Sequence, residues 1–247
     1  MKKLSLFTPS ELQKEKQKDY RNITVVQIII VTMGLTLTEV IADEQTFAAK
    51  LVLTLFNIFG VLYAFLLWDM LRNLTESMFI KRSILITLVA ISVFGLLTEF
   101  PFYHIIDFEN RQLNLLIIHG LLFPIEVTII GYALNDLFSG GKLTPDKLWG
   151  AACVFLMTGI SFGSLYDLIC IIKPGSLGID LRPGIPNYAE CVRFSFSIMG
   201  GVEPGLPDAS VLIRNISVIE GVWGTLFAML VIGKLLGLPR AEENKET

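Results

Sequence analysis

Apolar runs of roughly 20 residues, separated by short polar breaks, recur along nearly the whole chain. A helix needs about 20 apolar residues to cross a hydrocarbon core about 30 Å thick. Six such runs can be drawn: Ile23–Ala42, Phe47–Leu71, Phe79–Phe100, Leu113–Phe138, Lys147–Ile172 and Val211–Leu236. A shorter apolar stretch, Tyr188–Met199, is too short to cross and reads as re-entrant or interfacial. The expected fold class is an all-α membrane protein with six transmembrane helices and a re-entrant helix and loop between the fifth and sixth. Only 17% of the residues are charged, against about 25% in a soluble domain.

Lysine and arginine placement orients the spans. With both termini inside, the outer segments hold only Lys50, Arg111, Lys173, Arg182, Arg193 and Arg214; every other Lys and Arg lies inside. The expectation is an integral plasma-membrane protein with cytoplasmic termini. Thr8-Pro9-Ser10-Glu11 carries a helix-start signal, and a short charged helix over Leu12–Tyr20 is expected on the cytoplasmic surface, the alternative being a polar tail. No cleavable signal peptide is expected, because a charged stretch precedes the first run.

Ser139-Gly140-Gly141 is a break, and Thr144-Pro145-Asp146 restarts a helix after it. The chain thus divides into a cytoplasmic segment (1–22), a four-helix part (23–138), a two-helix part (143–236) and a short tail (237–247). No soluble sensing domain is expected after the last run. Net charge is −3 without a basic block, so nucleic acid is not an expected partner. Cys153, Cys170 and Cys191 lack metal-ligand spacing. A Cys170–Cys191 bridge is a minor alternative to three free thiols. No nucleophile or phosphate-loop motif appears, so neither an enzyme nor a bound cofactor or metal is expected.

The two-helix part carries the most specific pattern. Lys147-Leu148-Trp149-Gly150-Ala151-Ala152-Cys153-Val154-Phe155-Leu156 and Gly159-Ile160-Ser161-Phe162-Gly163-Ser164-Leu165-Tyr166 resemble the outer helix of prokaryotic potassium channels. Phe194-Ser195-Phe196 resembles their pore helix, and Arg214 through Phe227 resembles their inner helix. The resemblance implies a homotetrameric pore-loop channel for inorganic cations in a prokaryotic inner membrane. It implies that Glu220 braces the pore helix and that Gly224 is a gating hinge. The segment in the filter position is Gly200-Gly201-Val202-Glu203-Pro204-Gly205. It departs from Thr-Val-Gly-Tyr-Gly, whose carbonyls replace the hydration shell of potassium. Pro204 fixes φ and lacks an N–H. Four Glu203 carboxylates around an axis are expected to form a site for a monovalent or divalent cation; the alternative is an outward-facing glutamate in a loop that does not conduct.

Other ionisable residues inside runs are functional candidates. Glu126 sits beside Pro124, with His119 two turns earlier on the same face. They suggest a proton-coupled or ligand site; a glutamate hydrogen-bonded between helices is the plainer reading. Asp167 and Glu39 lie near outer ends and are expected at the interface. The fourth run contains no Lys or Arg, so strong voltage sensing is not expected. Gly159 and Gly163 form a face for close helix approach. Two further readings stay open: a non-conducting regulatory relative, and a secondary transporter coupled through Glu126 and Asp167.

Overall fold

The computed structural model describes residues 9–37, 40, 46–102, 111–139, 144–179, 183–202 and 208–237. Among them are seven helices and no strand: α1 Pro9–Thr36, α2 Phe47–Leu74, α3 Met78–Glu99, α4 Arg111–Phe138, α5 Pro145–Ile172, α6 Ile185–Met199 and α7 Val211–Gly237. Five of these are long and apolar enough to span a membrane: α2, α3, α4, α5 and, over Val211–Val231, α7. Apolar helices of this kind suggest a membrane-embedded protein.

The sixth expected span falls in α1 and differs from expectation. One helix runs unbroken from Pro9 to Thr36, where a separate surface helix had been expected before the first span. No glycine or proline interrupts Leu12–Ile23, so nothing in the backbone ends the helix at Tyr20. Its described apolar part, from Ile23 to Thr36, is shorter than the roughly 20 residues a crossing needs. Its polar half is anchored to other elements. Gln13 Nε2 donates to Asp146 at 3.1 Å, Tyr20 donates to Asp136 at 3.2 Å, and Lys16 is ion-paired with Asp136.

Local signals set the other helix starts. Thr46 caps α2 by accepting from the Ala49 N–H, and Ser77 caps α3 by accepting from the Ile80 N–H. α5 starts at Pro145 as its sequence indicates, but the Thr144 hydroxyl makes no capping bond.

α5 is the most buried of the five long apolar helices and sits at the centre, packed against α1, α4, α6 and α7. The largest core cluster draws Ile23 and Val31 from α1, Leu67 from α2, Leu88 from α3, Ile129 from α4, Met157 from α5, Val192 from α6 and Phe227 from α7. That core is continuous across residues 138–143, where the sequence suggested a division. Inside a bilayer, close packing replaces the hydrophobic effect as the force between helices. Gly159 and Gly163 supply it: a Cβ on Gly163 would stand 2.9 Å from Val192 Cα, and one on Gly159 2.6 Å from the Phe196 ring. The glycine face thus seats α6 directly on α5.

Candidate functional site

Two polar clusters lie in this packing. The first holds α6 between α5 and α7. Glu220 on α7 is wholly buried. Tyr166 on α5 donates to Glu220 Oε2 at 2.6 Å, and Ser195 on α6 donates to Glu220 Oε1. Ser195 Oγ also lies 2.7 Å from the Gly159 carbonyl, and Tyr166 meets Phe194 edge-on at 4.9 Å. One carboxylate therefore joins three helices. Gly224, one turn further along α7, is buried with Met199 at the end of α6, 3.5 Å from where its Cβ would lie. α7 continues as helix through Gly224.

α6 ends in a glycine cap. Gly201 has φ +69°, the Gly201 N–H bonds Ile198 O at 3.1 Å, and the Val202 N–H bonds Ser197 O at 2.9 Å. This is a Schellman motif, in which a left-handed residue lets the chain turn back on the last carbonyls. Gly200, Gly201 and Val202 are exposed. Glu203, Pro204 and Gly205 lie outside the described residues, as does Glu39.

The second cluster lies between the first four helices and α5–α6. His119 Nδ1 on α4 is 2.6 Å from Asp167 Oδ2 on α5, and Asn187 Nδ2 on α6 donates to Asp167 Oδ1 at 2.5 Å. Asp167 is 1% exposed, so it faces the helix interior, where the sequence placed it at the interface. The Tyr188 ring meets His119 edge-on at 5.3 Å. Glu126 is wholly buried, with Ser164 Oγ donating to it at 3.2 Å. His119 and Glu126, paired by spacing in the sequence, thus bond different partners on α5.

A cavity of about 180 Å³ adjoins this cluster. Its walls are mostly aliphatic; His119, Tyr63 and Tyr188 give it a polar end, and Asn57, Ser92 and Glu99 also face it. Glu99 is held by Arg111 through two bonds of 3.0 Å. Gly184, before α6, has φ +142° and lies where a Cβ would come 2.5 Å from Arg111 Nη2. Gly60 and Gly95 face the cavity, and a Cβ on either meets nothing within 4 Å.

Sequence reasoning named Glu126, His119, Glu220 and Asp167. It gave no role to Tyr166, Asn187, Tyr188, Gln27 or Tyr63. Gln27 offered a signal, a polar residue within an apolar run. Asn187 gave none, because its partner is 20 residues away. Cys153, Cys170 and Cys191 are buried free thiols. The described residues contain no cluster of three or more His, Cys, Asp or Glu suited to a metal ion. Compared with known proteins, the chain matches no protein-family model, no curated sequence and no solved structure.

Proposed function

We propose that this chain is a subunit of a homotetrameric pore-loop cation channel with a potassium-channel-like scaffold and a non-consensus filter. The observation that carries the reading is the Tyr166–Glu220–Ser195 junction. It fixes a 15-residue helix between two spanning helices, as a pore helix requires. One chain supplies one such helix, and a closed filter of this type needs four.

α7 supports the same reading. Its buried stripe is Ile213, Glu220, Gly224, Phe227 and Val231. Beside that stripe, at helical spacing, run Arg214, Ser217, Gly221 and Thr225, a small and polar line suited to a water-filled path. The Schellman cap at Gly201 argues against a potassium-type filter at Gly200–Val202, because it commits the Gly201 and Val202 N–H groups to the last carbonyls of α6 and holds this segment as a helix cap. Cation selection then rests on the Glu203 ring. No steep voltage dependence is expected of such a channel.

The test is recording purified protein in planar bilayers, wild type beside Glu203→Gln. Unitary cation currents, with selectivity altered in Glu203→Gln, are the expected result. Identical currents would remove the carboxylate from the mechanism. Absence of current would leave the scaffold without conduction, as in a regulatory relative.

A second reading has its own observation. The buried Glu126, His119 and Asp167 beside a cavity resemble the intramembrane carboxylates of ion-coupled transporters. Saturable uptake into proteoliposomes, driven by an ion gradient and without unitary currents, would favour it.

A further inference from the structure

We propose that Glu126 is a reversible proton-binding site at the buried junction of α1, α2, α4 and α5. The inference does not depend on whether the chain conducts.

The junction is marked by polar atoms without close hydrogen-bond partners among the described residues. Glu126 Oε2 accepts from Ser164 Oγ at 3.2 Å, but that hydroxyl also lies 3.1 Å from the Ile160 carbonyl. A hydroxyl has one hydrogen and serves one acceptor at a time. Glu126 Oε1, the Tyr63 hydroxyl and the two amide atoms of Gln27 make no close hydrogen bond, only longer interactions through Tyr63. Gln27 and Glu126 are wholly buried and Tyr63 is 6% exposed. The Tyr63 hydroxyl is within interaction range of both Gln27 and Glu126. Buried polar groups left so are uncommon and costly.

The kind of orphan decides the occupant. Glu126 Oε1 and Gln27 Oε1 accept, Gln27 Nε2 donates, and Tyr63 does both. A bare metal cation would satisfy the oxygens but turn the amide and phenol hydrogens toward a positive charge. Water both donates and accepts, and a buried water makes about three hydrogen bonds. Water alone leaves the carboxylate charge uncompensated, and an ionised carboxylate in the membrane interior is costly unless paired. The basic group acting on Glu126 is His119, which is committed to Asp167. A proton neutralises the charge without adding bulk. In the exchange, hydronium gives its proton to Oε1 and leaves as water. The new O–H bond then donates to the Tyr63 hydroxyl or to a water.

The groups facing Glu126 are Tyr63 from α2, His119 from its own helix, Ser164 from α5 and Tyr188 from α6; the uncharged Gln27 from α1 reaches it through Tyr63. Tyr63, His119 and Tyr188 also line the 180 Å³ cavity, so they stand next to a way out. Tyr188 carries the change of charge to α6.

The experiment is pH-difference infrared spectroscopy on the full chain in nanodiscs. We expect a protonated-carboxyl band that vanishes as pH rises, is lost in Glu126→Gln and shifts in frequency in Glu126→Asp. Tyr63→Phe should move its midpoint without removing it. Exchanging sodium for N-methylglucamine should leave the midpoint in place. A pH-difference spectrum that Glu126→Gln leaves unchanged in the carboxyl region, or no titrating carboxyl band at all, overturns the proposal; the band of Asp19 is identified by its loss in Asp19→Asn. So does a midpoint that follows the sodium concentration, which would make the occupant a metal cation. If Glu126→Gln does not fold, the frequency shift in Glu126→Asp decides alone.

Discussion

Tyr166 donates its phenolic hydrogen to Glu220 across 2.6 Å, joining the C-terminal half of α5 to the middle of α7. Ser195 uses the other oxygen of the same carboxylate. Removing one donor leaves the carboxylate one partner short, at a cost of about 1–3 kcal/mol. Tyr166→Phe should therefore lower the melting temperature in detergent moderately. Glu220→Ala should lower it further, since two donors and a void are then left. Equal melting of Glu220→Ala and wild type would show that the junction contributes nothing.

Gly163 and Gly224 should respond differently to alanine. At Gly163 the added carbon would come 2.9 Å from Val192 Cα, and backbone cannot step aside. At Gly224 the nearest atoms are at 3.5 Å, an ordinary contact. We expect Gly163→Ala to destabilise the fold measurably and Gly224→Ala to leave melting unchanged. Altered channel opening in Gly224→Ala at unchanged melting would then be a conformational effect, as a hinge demands.

The cavity offers a gain of stability. Gly60 and Gly95 border it, and a side chain on either meets no atom at its Cβ. Gly60→Leu and Gly95→Leu should raise the melting temperature, since replacing a helical glycine gains about 1 kcal/mol from propensity alone. A fall would mean that the side chain displaces an occupant which stabilises the protein.

Asp19 gives the polar half of α1 a pH dependence. Burial pushes its carboxyl up to about 6 from 3.8; Asp69 and Glu15 push the same way, while the Asn73 bond and Arg72 oppose them. The folded form thus holds the proton more tightly than the unfolded form. The resulting stability is fully present below 3.8 and is lost as pH rises through about 6. Hydrogen-exchange protection at the α1–α2 contact, taken relative to the intrinsic exchange rate at each pH, should be greater at about pH 5 than at about pH 7. Asp19→Asn should abolish that difference.

Hydropathy and charge placed the long helices within a few residues, because each carries its own apolar run and start signal. The extent of α1 was not legible: its first half is fixed by Asp136 and Asp146, more than a hundred positions away. The same limit applies to the candidate site. Spacing put His119 and Glu126 on one face, but Asp167 and Ser164 decide what each bonds to. Glu220 stood out as a lone acid in an apolar run and Gln27 as a polar residue in another, whereas Tyr63 becomes notable only once its hydroxyl is found buried beside Gln27 and Glu126. The cap at Gly201 was masked in sequence by its alignment with a filter position.

The central place of α5 also bears on biosynthesis. α1 and α4 both pack against a helix made after them. When Phe138 leaves the ribosome, Thr24, Gln27 and Glu126 still lack the surface that later buries them. The early helices must wait in the translocon's vicinity, or be shielded from lipid there, until residues 145–172 arrive. Packing of the early helices is therefore expected to be completed only once α5 has been made, with α7 closing on it last.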